Sequence, residues 1–495
     1  MRCLLTGATG YIGGRLAPRL LAEGRTVRCL ARSPDKLRDA PWAGDAEIVA
    51  GNVTDEGSVR AAAAGIDVVY YLVHSLSERG FAATDRRAAM IVAQAAREAG
   101  VGRIVYLGGL HPAGALSDHL ASRAEVGEIF LRSGVPTAVL QAAVILGSGS
   151  ASFEMLRYLT ERLPVMIAPR WVHNLVQPIA VRDVLRYLLG AARLPPEINR
   201  TFDIGGPDVL TYLEMMQRYA MVAGLPRRRI VGVPVLTPRL SAHWVNLVTP
   251  VPKAIAGPLI ESLVHEVICH EHDIASYLPD PPEGLIGYDR AVRLALAKVR
   301  DAHVETRWSG ASLPDVPPSD PMPSDPDWSG GSVYFDVREQ HSSAAPQRLW
   351  RVVEGIGGEH GWYSFPLAWS VRGWLDRIFG GVGLGRGRRD PHDLHVGEAL
   401  DWWRVEELTE DAAGRGLLRL RAEMKVPGSA WLEMIVEPGP DGGSTYRQRA
   451  VFVPRGLAGH LYWWAVSPFH AAVFGGMARN ITSTAERPDQ PAPAV

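Results

Sequence analysis

The chain reads as an α/β protein in which a doubly wound parallel Rossmann sheet precedes a separate α+β domain with an antiparallel sheet. Three observations predict this. A glycine-rich turn stands between an apolar run and an amphipathic segment at the start of the chain. Strand-like and helix-like segments then alternate through the first 146 residues. A stretch rich in Pro, Ser, Asp and Gly, Ser312–Gly331, is followed by tryptophan-rich, strand-like runs.

The opening residues MRCLLTGATGYIGG carry the strongest signal. Cys3, Leu4 and Leu5 form a short apolar strand, and glycines follow at Gly7, Gly10 and Gly13. Ile12, Leu16, Leu20 and Leu21 then fall on one helical face. In such a turn Gly7 permits the bend, Gly10 lets the backbone approach a pyrophosphate, and Gly13 lets helix pack on strand. The phosphates would sit on the helix N-terminus, where N–H groups and the dipole favour anions. The alternative is a glycine turn without a ligand.

Further strands are expected at Val27–Arg32, Ala46–Val53, Ile66–Val73, Arg103–Gly109 and Thr137–Leu146. Ile66–Val73 is apolar almost throughout, as a strand buried on both faces requires. Asp85–Ala99 has helical periodicity and ends at Gly100. Pro178–Ala192 and Thr201–Met216 each read as a strand entering a helix. Residues 226–265 hold six prolines and give no clear element. The expected division is 1–305 for the first domain, with a substrate lobe from residue 147, and 306–331 for an extended linker. The second domain would span 332–485, and 486–495 would be a disordered tail. In the second domain, strands are expected at Val333–Gln340, Leu400–Glu406, Leu417–Met424, Trp431–Glu437 and Thr445–Val453, with a helix at Leu457–Ile481.

At 495 residues two or three domains are expected. With 52 basic and 53 acidic residues, the chain lacks the basic footprint of a nucleic-acid binder. Cys3, Cys29 and Cys269 are scattered, so no disulfide framework and no paired-cysteine metal motif is expected. That favours a reducing cytoplasm, as does a start without signal-peptide features. His265–Asp273 invites a metal reading, but Cys269 stands where a helical zinc motif needs histidine. No metal is expected there, and a solvated helical face is the simpler reading. The basic loop Arg386–Asp393 reads as solvated charge, with a phosphate or anionic-lipid contact as the sharper alternative.

The second strand ends without an acid to hold ribose hydroxyls. Arg32 and Ser33, with Lys36 behind, suit a 2′-phosphate, so NADP is expected over NAD. Asp35 is the contrary signal, and it is expected to cap the next turn.

TGATGYIG (Thr6–Gly13) resembles the cofactor signature of the short-chain dehydrogenase/reductase superfamily, in its extended and atypical branches. GNVTD (Gly51–Asp55) is similar to that family's adenine turn, with Asn52 replacing the first acid. PIAVRDV (Pro178–Val184) and FDIGGPDVLTYLEM (Phe202–Met215) match later landmarks. The order of parts resembles a bacterial two-domain family in which such a domain is fused to a helix-grip (START-like) domain. YYLVHSL (Tyr70–Leu76), SDHLASR (Ser117–Arg123), GSGSASFE (Gly147–Glu154) and PRWV (Pro169–Val172) carry that likeness. NmrA-like sensors and the NADPH-binding accessory subunit of respiratory complex I are more distant likenesses. The resemblance implies cofactor contacts from Thr6, Gly7, Thr9, Gly10, Tyr11, Ile12, Gly13, Arg32, Ser33, Asn52, Val53, Leu72, Val73, His74 and Arg123.

The superfamily's enzymes use Tyr-x-x-x-Lys and a serine. Here the matching positions hold His119 and Arg123, and Gly108-Gly109 replace the serine. Two readings stay open. In one, His119 donates a proton near neutrality, as an ordinary imidazole of pKa about 6.5 can. Arg123 would then hold ribose or phosphate, and His74 and Ser75 would supply the missing polar groups. In the other, the domain binds NADP without reacting, as a sensor or assembly factor. The helix-grip likeness implies a cavity for an apolar ligand in the second domain. Trp350, Trp362, Trp369, Trp374, Trp402, Trp403, Trp431, Trp463 and Trp464 would line it or fill an ordinary core. Leu457–Met477 is strongly apolar. His460, His470 and Pro468 argue against a membrane span, leaving a sheet-closing helix or a peripheral membrane contact. The expected function is NADPH-dependent reduction of an apolar carbonyl or quinone-like compound.

Overall fold

The computed structural model describes residues 1–38, 40–74, 80–112, 116–233, 248–304, 332–357, 362, 394–412, 414–424, 426–439 and 442–487. The chain divides into two units, Met1–Gly331 and Ser332–Val495. Ser75, Trp369, Trp374, the Pro-rich stretch 312–331, the basic loop 386–393 and most of the tail lie outside the described residues.

The first unit runs β1 (Arg2–Thr6), α1 (Tyr11–Ala22), β2 (Thr26–Ala31), β3 (Glu47–Ala50), α2 (Glu56–Ala63), β4 (Val68–Tyr71), α3 (Phe81–Glu98), β5 (Arg103–Gly109), α4 (Asp118–Leu131) and β6 (Thr137–Ala142). With β7 (Arg200–Ile204) these strands form one parallel sheet, ordered β7-β6-β5-β4-β1-β2-β3. The winding reverses between β1 and β4, the place where doubly wound sheets bind ligands at their carboxyl ends. Both faces are covered, and the period of two assigns them. Cys3 and Leu5 pack with Leu16, Leu20 and Val27 on one side. Leu4 packs with Val59, Val69 and Val92 on the other.

Three predicted strands of the first unit are shorter than their apolar runs, and Ile66–Val73 contributes only β4 (Val68–Tyr71). Ala46–Val53 contributes only β3, because Asp55 turns the chain into α2 by accepting the Ser58 N–H at 2.8 Å. Thr137–Leu146 splits. β6 stops at Ala142, and Ile145–Leu146 pairs instead with Ile179–Ala180. The run stays apolar because its second half enters another core, with Val144 and Leu146 beside Phe153 and Leu156.

That core belongs to a lobe built from α5 (Ala151–Arg162), α6 (Val181–Ala191), α7 (Tyr212–Val222), α8 (Lys253–Ser262) and α9 (Tyr288–Val304). The later family landmarks fasten it. Asp183 accepts the Ile286 N–H at 2.9 Å, and Asp208 accepts the Tyr288 N–H at 2.7 Å. His265–Asp273 is not the expected helical face. Val267 bridges to Val176, Gln177 N–H donates to the Val267 carbonyl, and Asp203 accepts the His270 N–H. Backbone pairing therefore holds this segment extended. Among the described residues no group of three or more His, Cys, Asp or Glu could hold a metal.

The second unit comprises β8 (Tyr334–Ser342), α10 (Pro346–Glu354), β9 (Ala399–Leu400), β10 (Trp403–Glu410), β11 (Gly416–Ala422), β12 (Gly428–Pro438), β13 (Ser444–Pro454) and α11 (Gly456–Glu486). Its sheet is antiparallel, ordered β8-β13-β12-β11-β10-β9. Trp350 on α10 and Met477 and Ile481 on α11 pack with Leu432, Met434 and Val436 of β12. Trp350, Trp362, Trp402 and Trp403 belong to this core, and Trp431 and Trp463 are also buried. Trp464 instead is 60% exposed, on the outer side of α11 with Leu461 and Phe469. No helix among the described residues is long and apolar enough to cross a membrane.

Candidate functional site

The carboxyl ends of β1, β4, β5 and β6 carry the site. After β1 the chain bends at Gly7, where φ is +81°, and a Cβ there would stand 2.7 Å from the Leu72 carbonyl oxygen. A Cβ on Gly13 would stand 2.2 Å from the Gly7 oxygen, so α1 packs against the turn itself. Gly10 is the N-cap of α1; no side chain caps it and no acid lies in the first turn. Such an end favours an anion, so the residues present fit a dinucleotide's phosphates.

The rest of the expected cofactor surface is built around this turn. Thr6 Oγ1 donates to the Tyr70 carbonyl, and Leu72 N–H donates to the Thr6 carbonyl. Thr9, Tyr11 and Ile12 are half-buried at the start of α1, and Leu72, Val73 and His74 are half-buried after β4. Arg32 and Ser33 are exposed at the end of β2. Asp35 does not cap the following turn. Ser33 is the N-cap there, and Asp35, one residue inside, pairs with Arg38. Asn52 Oδ1 accepts the Thr54 N–H at 3.1 Å, which fixes the amide beside Val53.

The segment after β6 is tied to the glycine turn. Buried Arg15 lies 4.1 Å over the Tyr11 ring and donates to the Ser148 carbonyl at 3.3 Å. A Cβ on Gly147 would meet the Tyr11 hydroxyl at 2.2 Å, so a side chain there would displace that ring.

Between β4 and α4 lies a chain of three polar side chains. His74 Nδ1 is 3.0 Å from Asp85 Oδ2, and His74 Nε2 is 3.1 Å from His119 Nδ1. Asp85 is 3% exposed and His119 5%. Ser117 caps α4 by accepting the Leu120 N–H, which places His119 and Arg123 one turn apart on its first face. Arg123 donates to the Leu107 carbonyl at 2.5 Å. Its Nε would lie 3.3 Å from a Cβ on Gly109, so glycine in place of serine gives the guanidinium room beside β5.

Burial, with Arg123 and His74 as neighbours, pushes His119 down to about 2. The expectation of an ordinary imidazole is therefore corrected: His119 is neutral at physiological pH. Burial also lowers His74, and Asp85 opposes that shift.

These groups open onto a cavity of about 280 Å³. His74, His119, Arg123 and Gly109 lie at its polar end, while Met155, Leu159, Trp171, Met215 and Leu259 supply its apolar wall. Sequence reasoning looked for an apolar container in the second unit, and this one lies in the first. Asp85 was also missed, although Asp85, Ala88, Ala89, Val92 and Ala96 share one buried face of α3. An acid on an otherwise alanine and valine face was its signal.

Residues 7–133 match a family model described as NAD(P)H-binding, and residues 328–477 match one described only as a protein of unknown function (DUF2867). An uncharacterised protein of Mycobacterium tuberculosis is 28% identical over 236 residues, which cover 48% of this chain and 25% of that protein. The mitochondrial NADH dehydrogenase [ubiquinone] 1 alpha subcomplex subunit 9 of Mus musculus is 24% identical over 248 residues, covering 48% of this chain and 64% of the subunit. A 4-hydroxy-2-methyl-3-oxo-4-farnesyl-3,4-dihydroquinoline-1-oxide ketoreductase of Stigmatella aurantiaca is 32% identical over 111 residues, covering 22% of this chain and 33% of the enzyme. The chain thus spans about a quarter of the mycobacterial protein and less than two thirds of the other two. Among solved structures, Citrobacter triphenylmethane reductase complexed with NADP(H) is 20% identical with a TM-score of 0.46, covering 59% of this chain and 99% of that one. Bordetella bronchiseptica WbmH with NAD+ is 16% identical with a TM-score of 0.45, covering 61% and 99%. Strand order, glycine turn and family match agree: the first unit carries a doubly wound, Rossmann-type parallel sheet, and its residues 7–133 are similar to an NAD(P)H-binding family.

Proposed function

We propose that the protein is an atypical, NADPH-dependent oxidoreductase acting on an apolar carbonyl or quinone-like compound. The observation that carries this is the cavity. One end brings His74, His119 and Arg123 together at the carboxyl end of β5, and the remainder is apolar. Bound in the turn, the dinucleotide supplies a hydride. Thr6–Gly13 hold its phosphates, Arg32 and Ser33 its 2′-phosphate, and Asn52 and Val53 its adenine. Leu72, Val73, His74 and Arg123 flank its reactive end. His119 exchanges a proton with the substrate oxygen, and the apolar wall excludes water and holds the ligand body. The relative named as a ketoreductase of a farnesylated quinoline oxide supports this substrate class.

A second reading is a non-catalytic NAD(P)H-binding sensor or assembly factor. The missing Tyr, Lys and Ser favour it, as does the likeness to a respiratory accessory subunit. In either reading we assign the second unit to a helix-grip, lipid-binding class in a cytoplasmic protein. Six antiparallel strands against a 31-residue helix support that assignment. Leu461, Trp464 and Phe469 on α11 would make a peripheral membrane contact. The discriminating experiment is NADPH oxidation by the purified chain over a panel of quinones and apolar ketones. Turnover supports the oxidoreductase. NADPH binding with no turnover of any acceptor supports the sensor.

A further inference from the structure

We infer that Asp85, His74 and His119 form a proton relay ending in the cavity, in which His74 holds the charge beside Asp85 and His119 passes a proton through its ring without becoming an imidazolium. This rests on the proposed oxidoreductase reading.

A carboxylate can only accept, so once His74 is charged the chain runs in one direction. Asp85 Oδ2 takes His74 Nδ1–H, and His74 Nε2 faces His119 Nδ1. Both His74 nitrogens and one His119 nitrogen are thereby engaged, and His119 Nε2 is the ring nitrogen left to serve the cavity that His119 lines. In the charged state His74 carries two N–H bonds, one to Asp85 and one to His119 Nδ1, while His119 is the neutral Nε2–H tautomer. As hydride adds to the carbonyl carbon, the C=O π bond breaks and the oxygen takes the His119 Nε2 proton. His119 Nδ1 takes the His74 Nε2 proton in the same step. His74 is left neutral with its Nδ1–H on Asp85, which remains a carboxylate throughout. One hydride and one proton are consumed, giving an alcohol and the oxidised dinucleotide. The cycle closes in reverse: a proton entering from the cavity binds His119 Nε2 as the His119 Nδ1 proton returns to His74 Nε2, which restores the charged His74 beside Asp85, whose side chain is only 4% exposed.

Burial and Arg123 disfavour charge on both rings, but only at His74 does a carboxylate, Asp85, oppose that shift, so His74 is the easier of the two to charge. Among the described residues, the charged groups acting on the pair are Asp85 on α3 and Arg123 on α4, and Tyr71 on β4 and Tyr106 on β5 lie near Asp85. Burial raises both phenols, so they stay neutral. Asp85 is the only carboxylate among these groups and acts as a positioning residue.

The test uses the full chain with 15N-labelled histidine. His119 is expected to stay neutral while His74 titrates below the ordinary imidazole value, and Asp85→Asn to move the His74 titration to lower pH still. An imidazolium on His119, or a His74 titration unchanged in Asp85→Asn, overturns the relay. With NADPH and 2-decanone, Asp85→Asn is expected to lower kcat at pH 7 by about 10- to 100-fold and to displace the pH profile downward, with Asp85→Glu recovering part of both. Turnover with an unshifted profile overturns the relay as well. Absence of turnover in the wild type, alongside the expected nitrogen titrations, rejects the oxidoreductase reading and leaves the relay standing. NADPH affinity of each variant reports whether it has folded.

Discussion

At the residue scale, the glycine turn was legible and the ionisation of the buried histidines was not. Gly7 and Gly13 announce themselves because only glycine meets their steric demands, and the turn, with Gly10 between them, is local in sequence. Gly13→Ala is expected to destabilise the first unit by about 1–3 kcal/mol, since its Cβ would overlap the Gly7 carbonyl; urea midpoints of the two proteins check this. Arg32→Ala should weaken NADPH binding by roughly tenfold and leave NADH nearly unchanged, the difference of one charge-assisted phosphate contact. Fluorescence titration with both nucleotides measures that ratio. His119 was found through its spacing to Arg123, but its ionisation was misjudged. A sequence shows which side chain is titratable, whereas burial against Arg123 and His74 decides which form it takes. Reduction needs the proton held at His74, whose pKa burial lowers. The rate is therefore expected to be highest on the acid side and to fall as pH rises through that lowered value. A pH profile that rises toward alkali would contradict this.

At the element scale, the parallel strands of the sheet were readable because burial on both faces makes continuous apolar runs. Their ends were less so: the run after Pro136 crosses from sheet to lobe without changing composition, because both environments are dry. α8 was hidden by its prolines. Pro252 is its N-cap, where no backbone N–H is required. α7 and α8 supply much of the cavity wall, so filling that wall tests it. Met215→Trp is expected to weaken binding of an apolar ketone or quinone at least tenfold while NADPH affinity holds, measured by competitive titration. On α11, Leu461, Trp464 and Phe469 recur on the exposed side of a helix whose other side closes a core. Replacing Trp464 and Phe469 with Ser should abolish co-sedimentation with anionic vesicles if that side touches membrane. Co-sedimentation that survives the change would refute the assignment.

At the scale of the whole molecule, the chain divides into the units Met1–Gly331 and Ser332–Val495. The order of parts was legible because a parallel sheet built from strand–helix units and an antiparallel sheet built from hairpins write different patterns. The place of the apolar ligand was not legible. Tryptophans drew attention to the second unit, where most of those described fill a core. The described cavity is made in the first unit by Met, Leu and Ile from helices far apart in sequence, a convergence that only the fold creates. The central claim is that this cavity reacts rather than merely binds. Absorbance at 340 nm, followed while the purified chain meets NADPH and a panel of quinones and apolar ketones, tests it most directly. The account predicts acceptor-dependent oxidation that His119→Ala lowers by about 100-fold or more. Tight NADPH binding with no oxidation by any acceptor, or a rate unchanged in His119→Ala, would contradict it.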